Sequence, residues 1–493
     1  MCTTGRAWLP LGVFFVLSIF PLSAESGSEP VSYLPYYLIE SVQYEIEGRT
    51  RERFLAKKVD IEIGRVFPTQ EALEEYLQSK KQLLINQRVL AEAEVSYSTS
   101  PRTDGGTGVH VLVKTQDTWN FIVLPYFKYD SNSGLLLSLR TRDFNFLGSM
   151  ETLKLDFDYT ITSSRKNEFG QSAEFIVPFR MLGQDFTLGL DEEVTYNAND
   201  NRLEFDSTVS LGIELLFLGR EWTLETSQGY FYDNKDFYGD THYYETKVSF
   251  GTAFETPITL RKWAPFLYAP EVYIKANYRP DKELTPERRG YGPGFYHELK
   301  AERIDWIGDF RNGGSVSLGN DLYYNIQKED WDNKLTWDAV GHKAFSWMGF
   351  STRLSGFFQF NKELGIDPDD DVGESIRGIL DDRLVGDMAI FLNTDILIKM
   401  WTWFLDRYFE VQGGPFFDYA LTKRRGHNLS FDDSWYGGGI QVIIFPRFAR
   451  SLYIRGSLGW DLEAVLDDHK LTGNVPRDEY KRYEIFFGLG HHY

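Results

Sequence analysis

The sequence predicts an antiparallel transmembrane β-barrel preceded by one small α/β domain. Aromatic residues are 16% of the 493 residues, with 38 Phe, 29 Tyr and 12 Trp. They occur in short segments that alternate apolar and polar side chains, separated by charged turns, as is typical of barrel strands with aromatic girdles. After residue 24 no apolar stretch reaches the ~20 residues that a membrane helix requires. A soluble β-sandwich or propeller is the alternative, which the aromatic density disfavours.

The amino-terminal residues predict a secretory signal peptide, residues 1–24, followed by a leader, residues 25–37. A basic Arg6 precedes an apolar run at residues 8–22, and small side chains end at Ala24. The run is too short for a retained membrane helix, and this arrangement is that of a cleaved signal. A retained membrane anchor is the alternative. We therefore expect an exported protein.

Composition and motifs exclude several functional classes. The net charge of −20 argues against nucleic acid as a partner. The single cysteine, Cys2, lies in the predicted signal, so the mature chain would have neither disulfides nor a cysteine metal site. The sequence contains no Gly-x-Ser-x-Gly elbow, no P-loop and no His-Glu-x-x-His motif. We expect a protein that is not an enzyme and that uses no metal or cofactor.

Residues 38–117 predict a compact α/β unit in the order β-α-α-β-β. Thr69 stands at the N-cap position of the second helix, and Leu73 and Leu77 lie on its apolar face. Val109 and Val113 belong to a strand with period-two alternation. Two helices would cover one face of the sheet. The predicted strands are 39–46, 89–97 and 109–113, and the predicted helices are 51–59 and 69–86.

Residues 118–493 predict the barrel. Sixteen strands would leave 23.5 of these 376 residues for each strand with its connection, which suits spanning strands of ~9–11 residues. The alternation is clearest at the end, where Tyr483, Ile485 and Phe487 begin a period-two pattern that runs to Tyr493. An even number of strands returns both barrel ends to the side of the small domain.

The α/β unit resembles a polypeptide-transport-associated (POTRA) domain. The residues that carry the resemblance are a first strand ending in a glycine turn (46–49), a glycine and an aromatic residue before the second helix (64–67), and acidic Asp117 after the last strand. The resemblance implies a domain that binds extended polypeptide by adding a strand to a sheet edge. A spacer that only orients the barrel is the alternative.

The barrel resembles the barrel-assembly and polypeptide-transport superfamily named after the BamA and TamA proteins. Residues 142–148, with Asp143, Asn145 and Gly148, are similar to the end of the family's second strand, and residues 375–379 are similar to the Arg-Gly tip of its long sixth loop. Ile379 stands where the family has an aromatic residue. Residues 414–418 are similar to a Phe-x-Asp segment that ends in a lumen-facing Asp418.

Two other Arg-Gly pairs compete with Arg377-Gly378 for the loop tip, namely those at Arg289 and Arg455. In the family five strands follow this loop, and five alternating segments follow Gly378 in the sequence. The strand count therefore favours Arg377. A guanidinium in a lumen is costly without a carboxylate, so we expect Asp418 to pair with Arg377 and to lock the loop inside the barrel. A tip that is merely solvated is the alternative.

The closing strands predict a weak seam between residues 118–129 and 482–493. Pro125 cannot donate a ladder hydrogen bond, and Gly488 and Gly490 weaken packing near the terminal Tyr493. A weak seam could open sideways and template an incoming strand.

The resemblance implies an outer-membrane protein that inserts or translocates polypeptides, with its small domain in the periplasm. Its expected partners are unfolded outer-membrane or secreted polypeptides, the lipid bilayer, and periplasmic chaperones or accessory lipoproteins. A two-partner secretion transporter is a variant of this function, but it would carry two such domains and a plug helix, whereas the sequence predicts one such domain and no plug helix. A passive pore or surface adhesin on the same scaffold stays open as a second hypothesis.

Overall fold

The protein is described by a computed structural model whose defined residues run from 36 to 489 with gaps. These residues are 36–87, 89–130, 134–162, 164–260, 264–286, 288–361, 375–379, 386–400, 408–423, 428–447, 453–462 and 483–489. The predicted signal peptide, most of the leader, Gly490 and Tyr493 lie outside the described residues. No helix within the described ranges is long and apolar enough to cross a bilayer.

The amino-terminal α/β domain is a four-stranded sheet with two helices. Its elements are β1 (Tyr37–Glu47), α1 (Glu52–Val59), β2 (Val66–Phe67), α2 (Gln70–Asn86), β3 (Leu90–Pro101) and β4 (Thr107–Asp117). The sheet order is β2-β1-β4-β3, with β1 parallel to β4 and the other pairs antiparallel. The two-residue strand β2 was not predicted, because two residues carry no detectable alternation.

Alternation and helical periodicity build the domain core. Thr69 caps α2 by accepting a hydrogen bond from the Ala72 N–H at 3.2 Å. Leu73 and Leu77 of α2 pack in one cluster with Val109 of β4, and all three side chains are buried. The helices therefore cover one face of the sheet.

The carboxy-terminal part of the chain forms a closed antiparallel barrel. Its strands are β5 (Phe121–Asp130), β6 (Gly134–Asp143), β7 (Leu153–Ile161), β8 (Asn167–Met181), β9 (Gln184–Asn197), β10 (Arg202–Phe217), β11 (Arg220–Asp233), β12 (His242–Thr252), β13 (Phe254–Leu260), β14 (Ala264–Tyr278), β15 (Gly290–Ile307), β16 (Phe310–Asn325), β17 (Asp330–Ala344), β18 (Met348–Asn361), β19 (Met388–Lys399), β20 (Phe409–Lys423), β21 (Ser434–Pro446), β22 (Ile454–Asp461) and β23 (Tyr483–Leu489). Both β12 and β13 pair with β14, so they are two halves of one interrupted strand.

The described barrel therefore has eighteen strands, and the predicted count of sixteen was wrong. Several hairpins turn in two residues, as between β8 and β9, between β10 and β11, and between β15 and β16. Such hairpins consume fewer residues than the even division of the chain assumed. Five strands, β19 to β23, follow Gly378, so the two extra strands lie before it, where alternation alone had guided the prediction.

The outer face of the barrel is apolar and the lumen is polar. Exposed side chains on the outer face include Leu139, Leu211, Leu354 and Phe487. Side chains on the alternate positions face the lumen, among them Asp156. This pattern is that of a membrane-spanning barrel.

The barrel closes between β23 and β5 at a short seam. The described register pairs only Phe486 with Asp130 and Phe487 with Tyr129, whereas β5 pairs with β6 along its whole length. Pro125 lies in β5 opposite Leu139 of β6, away from these seam pairs. The backbone ladder at this seam is the shortest among the described barrel pairs.

Gly488 of β23 makes room for an aromatic ring at the seam. A Cβ at Gly488 would lie 2.7 Å from the hydroxyl oxygen of Tyr126, whose side chain is buried. The guanidinium carbon of Arg140 lies 3.5 Å from the centre of the same ring. The glycine therefore allows Tyr126 to pack against the closing strand.

The turn between β6 and β7 binds the α/β domain to the barrel. The buried Asn145 donates hydrogen bonds from Nδ2 to Thr50 Oγ1 at 2.7 Å and to Asp117 Oδ2 at 3.1 Å, and its Oδ1 accepts one from the Met150 N–H at 2.9 Å. Asp117 also accepts hydrogen bonds from the backbone N–H groups of Arg49 and Thr50. One side chain thus joins the turn after β1 and the end of β4 to the barrel.

Close backbone approach and apolar packing reinforce this junction. Gly148 has φ +74°, and a Cβ there would lie 2.2 Å from the Arg49 carbonyl oxygen. The Gly148 carbonyl accepts a hydrogen bond from the Arg51 N–H at 2.9 Å. Met150 is buried within the hydrophobic core of the α/β domain, and Asp143 forms a 3.3 Å ion pair with Arg49. Asp143, Asn145 and Gly148 therefore all contact the domain.

We predict that Asn145→Ala loosens the domain from the barrel. The substitution leaves Asp117 and Thr50 short of a buried donor, a loss that costs about 1–3 kcal/mol. Hydrogen–deuterium exchange should increase at residues 37–47 and 107–117 while barrel strands far from the junction stay protected. Asn199→Ala, in the exposed turn between β9 and β10, is the matched control and should leave exchange in the domain unchanged. Equal exchange in both variants would contradict this role for Asn145.

Candidate functional site

The candidate site is a loop segment, residues 375–379, that packs inside the barrel against β19 to β23. Arg377 and Ile376 in this segment are almost completely buried. The segment follows β18 in the chain and lies between gaps in the described residues. Hereafter these five residues are called the loop tip.

Arg377 forms a two-pronged ion pair with Asp418 of β20. Its Nε lies 2.7 Å from Asp418 Oδ2 and its Nη2 lies 2.6 Å from Oδ1, and its backbone N–H donates to Oδ2 at 3.0 Å. Its Nη1 donates to Asp395 Oδ1 of β19 at 2.8 Å. The Phe416 ring lies 3.8 Å from the guanidinium carbon. The planar fork of arginine matches a carboxylate in this geometry, which the single ammonium of lysine does not.

The strands place the two carboxylates side by side. Asn393 of β19 pairs with Asp418 of β20, and Asp395 lies two residues further along the same lumen face. Gln441 of β21 donates to Asp395 Oδ1 at 2.6 Å. Asp418 is fully buried and the Arg377 side chain is 2% exposed, so each charge depends on the other.

Glycines on the wall allow the loop tip to approach the strands. A Cβ at Gly437 of β21 would lie 1.9 Å from the Arg377 carbonyl oxygen. A Cβ at Gly459 of β22 would lie 2.9 Å from the Gly378 Cα. Gly378 itself has φ +88°, which favours glycine. Gly437 and Gly459 together leave a space on the wall that side chains would fill.

Apolar side chains flank the ion pair. Ile376 and Ile379 pack in one buried cluster with Ala389, Phe391 and Ala420 of the wall. Ile379 is 1% exposed, so its aliphatic side chain is packed against the wall. The loop tip is therefore held by both charge and apolar burial.

The loop tip also contacts the strand that closes the barrel. The Gly378 N–H donates to Glu484 Oε2 of β23 at 2.5 Å. Glu484 faces the lumen, while Ile485 and Phe487 on the alternate positions are exposed on the outer face. The tip thus bridges from β19 to the seam strand.

The structure brings together Arg377, Gly378 and Asp418 of the predicted site residues. Gly488 lies at the seam, and Pro125 lies on β5 away from the described seam pairs. The competing Arg289 lies just before β15, where its Nη2 donates to the Leu284 carbonyl oxygen at 3.0 Å. Arg455 lies on β22, with its guanidinium carbon 5.9 Å from the Phe486 ring.

Sequence reasoning missed Asp395, Gln441 and Glu484 as partners of the loop tip. Asp395 and Glu484 are charged residues on the buried face of otherwise apolar alternating strands, which is a detectable signal for a lumen partner. Gln441 carries no comparable signal. In the part of the chain that the structure describes, no three potential metal ligands come together.

Comparison with known proteins shows similarity at the level of fold. The structure is similar to that of CdiB from Acinetobacter baumannii, with a TM-score of 0.50 and 11% identity, covering 92% of this chain and 73% of that chain. BamA from Haemophilus ducreyi lacking POTRA domains 1–3 gives a TM-score of 0.42 and 11% identity, covering 92% of this chain and 85% of that chain. No protein-family model and no curated protein matches the sequence. The chain shares the fold of CdiB.

We predict that Arg377→Ala releases the loop tip from the wall. The variant leaves Asp418 and Asp395 as buried carboxylates without their cation, which costs about 3–5 kcal/mol. Proteinase K added outside the membrane should cut the loop, and the unfolding temperature of the barrel should fall. Arg353→Ala removes a lumen arginine that pairs with Asp338 in a half-exposed setting, so its cost should stay below about 1 kcal/mol. A loop that remains protected in Arg377→Ala would show that the ion pair does not hold it.

We predict that Gly437→Ala displaces the loop tip while leaving every charge in place. The added methyl group would clash with the Arg377 carbonyl oxygen, so either the loop or β21 must move. The same protease assay should show exposure approaching that of Arg377→Ala. Gly456→Ala on β22 is the matched control, because its Cβ would meet only an ordinary 3.7 Å contact with Phe487. If both alanine variants behave alike, close approach at Gly437 is unimportant.

Proposed function

We propose that this chain belongs to the superfamily named after BamA and TamA and inserts polypeptides into, or moves them across, the outer membrane. The α/β domain would lie in the periplasm and act as a POTRA domain. The observation that carries the proposal is the seam. The described backbone ladder between β23 and β5 is short, and β23 also accepts a hydrogen bond from the loop tip. Nothing in this mechanism requires a cofactor or a chemical energy source.

The short ladder at the seam supports lateral opening. Phe486–Asp130 and Phe487–Tyr129 are the described pairs, so among the residues that the structure describes few backbone hydrogen bonds join β23 to β5. The freed edges present unpaired N–H and C=O groups, which can accept an incoming strand. Backbone pairing tolerates many sequences, as an insertion device requires.

The α/β domain supports capture of extended polypeptide. Strand β3 pairs with β4 on one side, and within the described residues no strand covers its other side. Its twelve residues are mostly exposed or half-buried. A long open edge of this kind can be extended by a client segment. The fixed junction at Asn145 would hold this edge in a constant orientation relative to the seam.

A passive pore or a surface adhesin is the second candidate. The charged lumen face of β9 to β12, opposite the loop tip, favours a pore, because water and ions can follow such a wall. Steady conductance of the purified protein in planar bilayers, with no effect on other barrels when the protein is depleted, would favour this candidate.

We predict that a disulfide across the seam abolishes insertion while sparing folding. Tyr129→Cys with Phe487→Cys joins the described register pair between β5 and β23, and both side chains face outward. Cells depleted of the native protein and supplied with the oxidised variant should lose other barrels from the outer membrane. Reduction of the disulfide should restore their levels, because only opening of the seam has been blocked.

The matched control joins two strands that need not separate. Phe127→Cys with Leu137→Cys links a register pair of β5 and β6 on the same outer face. This disulfide should leave insertion intact in either redox state. If the oxidised seam variant still supports normal barrel levels, lateral opening is not how the protein works.

A further inference from the structure

A band of polar side chains crosses the lipid-facing wall far from the seam. It occupies five neighbouring strands, β8 to β12, and is hereafter called the polar stripe. Its members are Gln171, Glu192, Ser207, Gln228 and Thr246.

Strand register shows that the polar stripe faces outward. Glu192 pairs with Ala173 on one side and Ser207 on the other, and Ser207 shares its face of β10 with the exposed Leu211. The alternate residue Glu193 faces a lumen cavity of about 290 Å³ that is also lined by Glu204. Side chains of adjacent residues in a strand point to opposite faces, so Glu192 points toward lipid.

The polar stripe lies inside the apolar belt rather than at its edge. On β9 the outward residues beside Glu192 are Val194 on one side and Leu190 on the other. On β10 the outward residues beside Ser207 are Phe205 and Val209. A carboxylate facing lipid at such a depth destabilises a barrel unless it finds a partner.

Some members of the polar stripe have hydrogen-bond partners among the described residues and others have none. Gln228 accepts hydrogen bonds from the hydroxyls of Thr246 and Tyr278, and its amide donates to the Glu245 carbonyl oxygen at 3.1 Å. Glu192, Gln171 and Ser207 make no hydrogen bond or ion pair with other described side chains. The Glu192 carboxylate, a strong acceptor, and two donors, the Gln171 amide and the Ser207 hydroxyl, therefore lie on neighbouring strands with no described side-chain partner.

We propose that the polar stripe is a dimer interface with a second copy of this chain in the membrane. Two copies inserted in the same direction carry the stripe at the same depth. A two-fold axis along the membrane normal brings the polar stripes of the two copies together. In such an isologous interface each residue contact occurs twice. Each Glu192 then meets the Gln171 amide or the Ser207 hydroxyl of the other copy. The wall with the seam stays free for a client.

The test is cross-linking of the full chain in membranes. Val209→Cys, an exposed outward residue of β10 beside the stripe, should give a dimer with a short bismaleimide in a background where Cys2 is replaced by serine. Leu354→Cys, exposed on β18 in the opposite wall, is the matched control and should give only the collisional background. Equal cross-linking at the two positions, or a product that contains a different outer-membrane protein, would overturn the proposal.

A second set of variants tests the chemistry of the contact. Adding Glu192→Leu to Val209→Cys removes two symmetry-related hydrogen bonds, which at the usual strength of such bonds in membranes weakens the dimer roughly eightfold. Glu192→Gln keeps an acceptor and should keep the dimer. Heat-modifiable migration of each variant in gel electrophoresis reports that the barrel has folded. Undiminished cross-linking in Glu192→Leu would overturn the role of the carboxylate, whether or not the barrel transports polypeptide.

Discussion

A buried arginine constrains the whole wall formed by β19 to β23. The Arg377 guanidinium is removed from water, and a lone charge in that setting would destabilise the fold by several kcal/mol. Asp418 supplies the matching fork and Asp395 supplies a further acceptor. The wall must also be bare of side chains where the backbone of the loop tip meets it, which explains glycine at positions 437 and 459. The carboxylates and the glycines of this wall are therefore both explained by the position of Arg377.

The same constraint divides the barrel into two unlike halves. On the side of the loop tip the lumen is filled, and the wall residues are buried. On the opposite side, β8 to β12 expose carboxylates to the lumen and a polar stripe to the lipid. A packed half behaves as a rigid body because displaced side chains would leave voids or unpaired charges. The water-facing half carries no such penalty.

Sequence patterns predicted the parts of this structure that depend on local alternation. The five strands after Gly378 and the pairing of Arg377 with Asp418 were accessible because the motif and the strand count constrain each other. The total number of strands could not be predicted from the sequence. Hairpins such as the one at Leu182-Gly183 carry no signal that separates a two-residue turn from a longer connection. Glu484 stands out as a charged residue on a lumen face, but its partner Gly378 could not be predicted, since the two residues are more than a hundred positions apart. Asn145 was found by resemblance, yet its bonds to Thr50 and Asp117 depend on how two domains meet, which no local pattern encodes.

The seam lies between two separately anchored groups of strands. On one side, β5 to β7 are tied to the α/β domain through Asn145 and through the chain itself at Asp117. On the other side, β19 to β23 are tied together by the loop tip. Movement at the seam leaves the buried ion pair of Arg377 and the core around Met150 intact, because neither crosses from β23 to β5. The hydrogen bond from Gly378 to Glu484 links the loop tip to the movable edge, so a shift of β23 displaces a partner of the loop tip.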